Sequence, residues 1–248
     1  MNALYVLWIR QLKRYMRSRS RIIGALGQPL MFLIALGYGF GAIFQRAGAG
    51  NYIYFLVPGV ISQTILFTSV FSGSEIIWDR QFGFLKETLV APVSRFYIML
   101  GRTLGGATVA TAQGLIVLLL SHIVGYRMEN YLMLPLAIAF MFIIALMFTA
   151  LGIAIASRLT DFQGFQLIIN FLVMPLFFLS GALFPLSNLP KSLTIITRID
   201  PLSYGVDAMR GTLNNASHLG LGLDMLVTGT LTLAFLAGGS YLFAKIEI

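Results

Sequence analysis

Few side chains of this sequence have the types and spacing that enzyme chemistry inside a membrane requires. A serine hydrolase there needs a Gly-x-Ser-Gly motif and a deep histidine, but Ser180-Gly181 lacks the first glycine. His218 falls in a loop, and His122 lies near the end of an apolar run. An aspartyl protease needs two embedded aspartates, which no predicted span contains. The sequence therefore argues against an enzyme.

The sequence also lacks the patterns that bind metal ions and nucleotides. Two scattered histidines and no cysteines do not form a cluster of metal ligands, so we expect no metal site. A phosphate-binding loop of the form G-x-x-x-x-G-K-[ST] needs a Gly-Lys pair, and the sequence has none. We therefore expect the chain to bind no cofactor and to hydrolyse no ATP through such a loop.

Three ionisable residues near the end of the second apolar run are candidates for a role in transport. Glu75 lies within about one turn of that end, and Asp79 and Arg80 follow it. Ionisable groups close to a membrane core often mark a pathway or a gate. Two interpretations stay open: an ordinary ion pair at the interface, or a gating and transmission contact.

Uncharged polar side chains lie deeper in the predicted spans. They are Gln63, Gln113, Gln166 and Asn170. Such groups usually form hydrogen bonds between helices. The alternative is that they line a transport pathway, for which we take Gln63, Gln166 and Asn170 as candidates. Phe32, Phe67 and Phe71 are aromatic candidates for the same pathway, with lipid contact or packing as the alternative.

Composition identifies the elements that carry these residues. The 248 residues are 58% hydrophobic and 10% charged, whereas a soluble domain carries about 25% charged residues. The net charge of +8 does not indicate nucleic-acid binding, because the basic residues lie between apolar runs and form no soluble face. The chain is therefore predicted to be a polytopic, all-α membrane protein forming a single transmembrane domain.

Six apolar segments are long enough to cross a bilayer, which takes about 20 residues. The predicted spans are 22–44, 52–74, 103–124, 131–156, 162–186 and 225–244. Prolines 29, 58, 135 and 175 fall inside them, and we expect kinks there. Twelve of the 17 lysines and arginines lie on the side of the N-terminus. The excess of positive charge predicts that both termini are cytoplasmic.

Residues 1–21 are predicted to form an amphipathic helix in the headgroup layer. Leu4, Trp8, Leu12 and Tyr15 recur at helical spacing, and basic residues occupy another face. This helix is either a plain topological anchor or a moving, functional element.

The cytoplasmic segment 79–98 has a pattern typical of docking to another protein. Phe82, Leu85, Leu89 and Phe84 are predicted to form one apolar stripe on a short helix that ends before Pro92. Such a stripe suits a groove in a partner, although it also suits a helix lying on the membrane.

The outer connection between the fifth and sixth spans is apolar as well. Leucine, isoleucine, valine and aromatic residues recur through residues 187–224, and Asp200-Pro201 is a favourable helix start. We predict two short re-entrant helices at the outer leaflet.

The ordered set of these segments resembles the ABC-2 type permeases. The resemblance is carried by residues 84–95 (FLKETLVAPVSR), 180–186 (SGALFPL), Leu189-Pro190, 200–204 (DPLSY) and 209–211 (MRG). It extends over nearly the whole chain and is strongest for drug-resistance and polysaccharide or Nod-factor export permeases. Asp-Pro-Leu-Ser-Tyr stands where an Asn-Pro-Leu-Thr type of variant is usual, which is a mild departure.

The resemblance implies a homodimer of permeases, embedded in the lipid of a bacterial inner membrane and bound to two copies of an ABC ATPase subunit that uses ATP and Mg. Segment 79–98 would be the coupling segment. Its docking residues would be Phe82, Phe84, Leu85, Lys86, Glu87, Leu89 and Arg95. The substrate, a drug, lipid or glycan, would pass between the two permeases along the first, second and fifth spans. The competing hypothesis is an ATP-independent channel or ion-coupled carrier, and an intramembrane hydrolase is a third.

Overall fold

The computed structural model describes residues 3–46, 50–185 and 190–246, and its regular elements there are all helical. The α-helices are α1 Ala3–Arg17, α2 Arg19–Arg46, α3 Tyr52–Ser72, α4 Ser74–Gln81, α5 Phe84–Val90, α6 Arg95–Ser121, α7 Leu134–Arg158, α8 Phe162–Leu179, α9 Lys191–Ile199, α10 Pro201–Asn214 and α11 Leu221–Ala244. Short 3-10 turns at His122–Val124 and Tyr131–Met133 follow α6 and precede α7.

Six helical segments in the described residues are long and apolar enough to cross a membrane. They are Ile22–Arg46, Tyr52–Gln81, Arg95–Val124, Tyr131–Arg158, Phe162–Leu179 and Leu221–Ala244. This confirms the prediction of an all-α membrane protein with six spans. The side on which α1, α4 and α5 lie is called the α1 side below, and the side of α9 and α10 the opposite side.

Several helix boundaries differ from the predicted spans, and two of the helices are longer because they contain a buried charge. Helix α6 begins at Arg95, eight residues before the predicted start, because Arg102 is buried inside the protein. Helix α11 begins at Leu221 and includes Asp224, which is also buried. Helix α8 ends at Leu179, where a turn with positive φ at Gly181 follows. The predicted end of that span, residue 186, lies outside the described residues, as does Leu189.

The centre of the molecule is formed by α3, α6 and α7. Within its most apolar stretch, 72% of α3 is buried, against 17% for α2 and for α11 and 22% for α8. Glycines let this centre pack closely, since a Cβ at Gly73 would overlap the backbone of Gly152 in α7. The peripheral helices α2, α8 and α11 therefore present most of their surface to lipid or to another protein.

Prolines 29, 58 and 175 lie inside continuous helices, as expected for a membrane environment. Pro135 differs from the prediction, because it occupies the first turn of α7, where its missing N–H breaks no helical hydrogen bond.

The predicted helix start at Asp200-Pro201 is confirmed. The Asp200 carboxylate accepts the backbone N–H of Leu202 at 2.8 Å, and Pro201 is the first residue of α10. Two short helices, α9 and α10, thus follow the fifth span, although their depth relative to the membrane stays a prediction. The N-terminal amphipathic segment forms α1 from Ala3 to Arg17, and Ser18 separates it from α2. Its place in the headgroup layer is likewise still a prediction, and Met1 and Asn2 lie outside the described residues.

Candidate functional site

An ion cluster joins three helices on the α1 side. Its centre is Asp79 of α4, whose Oδ2 lies 2.7 Å from Nη2 of Arg102 in α6. The other oxygen, Oδ1, lies 3.4 Å from Nη2 of Arg10 and 3.8 Å from Nη1 of Arg14, both in α1. Arg14 also lies 3.6 Å from Oε2 of Glu75. The cluster therefore links the N-terminal helix to the helix that leads into segment 79–98.

The pair of Asp79 and Arg102 is the buried part of this cluster. Their side chains are 7% and 3% exposed, whereas Arg10 and Arg14 are 40% and 37% exposed. An unpaired guanidinium at such depth would be costly, so Asp79 is what permits Arg102 to be buried. The outer arginines add attraction that water screens more strongly.

Arg80, predicted to belong with Glu75 and Asp79, points to a different element. Its Nη1 donates to the carbonyl of Leu159 at 2.9 Å and its Nη2 to that of Ser157 at 3.3 Å. These carbonyls close α7, and positive charge is favourable at a helix C-terminus. The three predicted gating residues thus connect α4 to both α1 and α7.

Helix α1 is fixed to α6 by close packing and by side-chain hydrogen bonds. Trp8 Nε1 donates to Thr108 Oγ1 at 3.0 Å, and Gln113 Nε2 donates to the Tyr15 hydroxyl at 2.7 Å. Gly101 and Gly105 admit α1, because a Cβ at either position would press against it. Movement of α1 would therefore be transmitted to α6.

Segment 79–98 forms the end of α4, a left-handed turn at Gly83 (φ 81°), helix α5 and the start of α6. The four predicted apolar residues do not share one exposed face. Leu85 is 1% exposed and Leu89 packs against the core, whereas Phe82 and Phe84 are 69% and 50% exposed. The prediction of a single stripe was wrong in this respect, because α5 buries one of its own faces against the bundle. Leu85 is therefore not available for docking.

The other predicted docking residues remain accessible to different degrees. Lys86 and Glu87 are exposed on α5, and Val90 at its end is 81% exposed. Arg95 is half-buried, because its guanidinium donates to the carbonyls of Ala244 and Ile246 near the C-terminus. The segment is thus attached to the last span as well as to α1.

A cavity of about 630 Å³ lies next to the ion cluster, between α1, α2, α3, α4, α6 and the start of α8. Three predicted pathway residues line it: Gln63, Phe67 and Phe71. The other three do not. Phe32 stacks on Phe177 with ring centroids 6.4 Å apart, and Gln166 and Asn170 are exposed on the outer face of α8.

Buried polar groups on the opposite side attach the outer helices to the spans. Arg210 of α10 donates to the Gly181 carbonyl at 2.5 Å, and its guanidinium carbon lies 3.9 Å from the centre of the Phe55 ring. Burial lowers the pKa of Arg210 to about 10, against the opposing attraction of Asp207 and Tyr52. The Tyr52 hydroxyl in turn donates to the Leu183 carbonyl at 2.9 Å. The segment after α8 is therefore held from two sides.

Ser180 and His122, the residues on which an intramembrane hydrolase would depend, form hydrogen bonds or contacts with the backbone of their own helices. The Ser180 hydroxyl donates to the Phe177 carbonyl and accepts the N–H of Ala182, and thus closes α8. His122 Nδ1 contacts the Leu118 carbonyl one turn back in α6. Within the described residues, no three His, Cys, Asp or Glu side chains come close enough to share a metal ion.

Sequence reasoning missed Arg102, the most buried cation of the cluster. A charged residue next to an apolar run usually marks the end of a span, so the predicted third span begins after Arg102, at residue 103. A usable signal was present, since Asp79 and Glu75 placed acidic groups at the same depth on the preceding span. Arg210 was missed because its partners, the Gly181 carbonyl and the Phe55 ring, cannot be recognised from the sequence.

Comparison with known protein families identifies the family of this chain. The family described as ABC-2 type transporter matches residues 2–214. The chain belongs to the ABC-2 type transporter family. As the resemblance predicted, this ABC-2 protein is a transport permease rather than a catalytic subunit.

Individual relatives of this ABC-2 permease carry consistent names. A protein of Cyanophora paradoxa named as a transport permease, ycf38, is 31% identical over 223 residues, covering 87% of this chain and 76% of its own. Nodulation protein J of Rhizobium leguminosarum bv. viciae is 26% identical over 210 residues, covering 82% and 80%. A doxorubicin resistance ABC transporter permease, DrrC, of Mycobacterium tuberculosis is 27% identical over 228 residues, covering 88% and 79%.

Proposed function

We propose that this ABC-2 permease is the membrane subunit of an exporter that moves a drug, lipid or glycan-type substrate out of the cytoplasm. A separate ATPase subunit, using ATP and Mg, would supply the energy. The observation that carries the proposal is the attachment of segment 79–98 to three spans. Asp79 forms an ion pair with Arg102 of α6. Arg80 and Arg95 donate hydrogen bonds to backbone carbonyls at the ends of α7 and α11, respectively.

Docking would use the exposed face of the segment. Phe82, Phe84 and Val90 are apolar and between 50% and 81% exposed, and Lys86 and Glu87 lie beside them. Exposed apolar residues with charges at their edge are typical of a protein contact. Leu85 and Leu89 would support this face from behind by fixing α5 to the bundle.

Transmission would follow from the ion cluster. A pull on α5 moves α4, and α4 is coupled to α1 and α6 through Asp79. Binding of ATP by the partner can shift the permease only if the docked segment differs in position between two states. The outer contacts of Asp79 with Arg10 and Arg14 can change while its 2.7 Å pair with Arg102 is kept, which would offer two such positions without leaving a buried charge unpaired.

The proposed assembly is a homodimer bound to two ATPase subunits, in the inner membrane of a bacterium with both termini in the cytoplasm. Support for the dimer comes from α8, where Gln166 and Asn170 are exposed in a span. Polar amides facing lipid are unfavourable, so a second copy or a water-filled path should cover them. The little-buried helix α2 borders the same region through the contact of Phe32 with Phe177.

The docking claim is tested with Val90→Asp, in the full chain reconstituted with a candidate ATP-binding cassette ATPase. Val90 is 81% exposed, so the fold should tolerate the change. We expect ATPase association to weaken by at least about tenfold, and ATP-driven flux to fall with it. Leu85→Asp is unsuitable, since a charge at that buried position would unfold α5.

Leu132→Asp is the matched control, because Leu132 is 90% exposed and lies on the opposite side. It should leave ATPase association unchanged. Undiminished association with Val90→Asp would contradict docking at this face. Substrate flux by the permease alone, without nucleotide, would contradict the ATP-driven exporter and favour a channel or carrier.

A further inference from the structure

The cavity beside the ion cluster carries no unbalanced charge. Among its lining residues the ionised ones are Arg14 and Glu75, and they face each other at 3.6 Å. An anionic or cationic ligand would therefore find no counter-charge that is not already paired. Such a ligand would lose its hydration without compensation, at a far greater cost than an uncharged ligand would.

The inner end of the cavity offers a hydrogen-bond acceptor. Gln63 is 2% exposed, and its Oε1 has no hydrogen-bond partner among the described residues. The nearby amide of Gln113 is already used, since it donates to Tyr15 and accepts from Thr68. A buried acceptor without a partner is costly, and a ligand carrying an O–H or N–H group would satisfy it.

The walls of the cavity are aromatic. Trp78 stacks on Phe82 at 5.9 Å and lies 5.3 Å from the Phe162 ring, while Phe67 and Phe71 line the α3 face. Flat apolar faces of this kind pack well against the face of a ring. Phe82 and Gly24 are exposed while Gln63 is buried, so the cavity runs inward from the α1 side.

We propose that this cavity binds an uncharged ring compound with hydroxyl groups, such as a glycoside. The ring packs between the aromatic walls and one hydroxyl donates to Gln63 Oε1. The volume of about 630 Å³ lies within the usual range for small-molecule sites, about 300 to 1,000 Å³. That the compound is cargo rests on the proposed exporter function, whereas the binding itself does not.

The test measures binding of octyl β-glucoside to the full-length permease in phosphatidylcholine nanodiscs, without ATPase or nucleotide. The chain has two tryptophans, so Trp8→Phe leaves Trp78 as the fluorescent reporter inside the cavity. We expect a saturable change in Trp78 emission. Octanoate and octylammonium, which have the same alkyl chain and a charged head, should give a much weaker response.

Two variants in the Trp8→Phe background locate the site. Gln63→Leu removes the acceptor and should weaken binding about fivefold. Gly24→Phe fills the cavity from α2 and should abolish saturable binding. A Cβ at Gly24 meets no atom within 4 Å, so this variant remains informative even if Gln63→Leu fails to fold. Gly27→Phe is its matched control, since Gly27 is equally open but lies outside the cavity lining.

Three results would overturn the proposal. They are a response that does not saturate, a response equal in Gly24→Phe and Gly27→Phe, and tighter binding of either charged probe. Because no nucleotide or partner is present, these results are independent of ATP-driven transport. Failure of the exporter hypothesis would appear in the flux assay and leave this binding unchanged.

Discussion

The two sides of the permease stabilise buried charge in different ways. On the α1 side, the Asp79 carboxylate is shared by arginines of α1 and α6, at 2.7 to 3.8 Å. On the opposite side, the Asp207 carboxylate accepts the backbone N–H groups of His218 and Leu219 at 2.8 to 3.0 Å. The first arrangement joins side chains of separate helices, while the second closes a loop within one region.

The difference indicates which side can move. Long arginine side chains can follow a carboxylate over a few ångströms, so α1, α4 and α6 can shift without losing their ion pairs. Backbone donors have no such freedom. We therefore expect the α1 side to adopt alternative arrangements while the region of α10 keeps one.

The largest expected effect comes from removing the shared carboxylate. Asp79→Ala leaves Arg102 buried without its partner, which typically costs about 3 to 5 kcal/mol of unfolding free energy. Arg10 would also lose its ion pair with α4, whereas Arg14 would keep its contact with Glu75. Thermal and denaturant unfolding of the purified permease, with Glu87→Ala as the exposed control on α5, measures the loss.

A double variant separates charge balance from simple packing. Asp79→Leu with Arg102→Leu removes both buried charges, and apolar replacement of a buried pair is often neutral or stabilising. We expect it to recover most of the stability lost in Asp79→Ala and, under the proposed function, to lose ATP-driven flux. Equal instability of the single and double variants would contradict the role of Asp79 as the partner of Arg102.

A smaller effect is expected where backbone contacts hold the opposite side. The Cβ of Gly59→Ala in α3 would overlap the backbone of Ala182, in the segment that follows α8. Overpacking of this kind costs about 1 to 3 kcal/mol. Gly39→Ala in α2 is the control, since a Cβ there meets no atom within 4 Å. Equal unfolding midpoints for the two variants would show that Ala182 is not held against α3.

The sequence predicts the fold of this protein better than it predicts the ion cluster. The six spans were predictable because apolar length is decided locally, without knowledge of neighbours. The start of α10 was predictable for the same reason, since Asp200 and Pro201 act on their own helix. Local signals failed at Arg102, where a partner 23 positions earlier in the chain, Asp79, permits a charge inside the bundle.

Segment 79–98 shows the limit of pattern reasoning most clearly. Periodicity identified α5 as a helix with apolar residues, but it could not say which of them face the bundle. Leu85 faces inward, at 1% exposed, because α5 packs back against the molecule. The cavity was likewise half predicted: Gln63 and Phe67 line it, whereas Gln166 on α8 faces outward. Which side of a helix is buried depends on the packing of distant segments.

The smallest expected effect concerns the titration of Asp200 on the opposite side. Burial raises the pKa of Asp200 to about 7, even though its bonds with Leu202 and Ser203 favour the charged form. The unfolded chain releases this proton near its ordinary pKa of about 3.9. Between these two pKa values the folded protein binds the proton and the unfolded chain does not. Raising the pH through this window therefore destabilises the fold.

Between about pH 6 and pH 7 the unfolding free energy should fall by roughly 1 kcal/mol. The loss is smaller than the value of about 1.4 kcal/mol that one full proton would give, because Asp200 is only partly protonated in this range. Asp200→Asn keeps a side-chain oxygen for the N–H of Leu202 but removes the titration, so its stability should vary less with pH than that of the wild-type protein. Thermal midpoints of both proteins across this window measure the difference. Glu87→Gln, which changes an exposed carboxylate on the α1 side, should retain the wild-type pH dependence. If Asp200→Asn retained it too, the buried carboxyl would not be its source, and the opposite side would be less rigidly closed than its backbone contacts indicate.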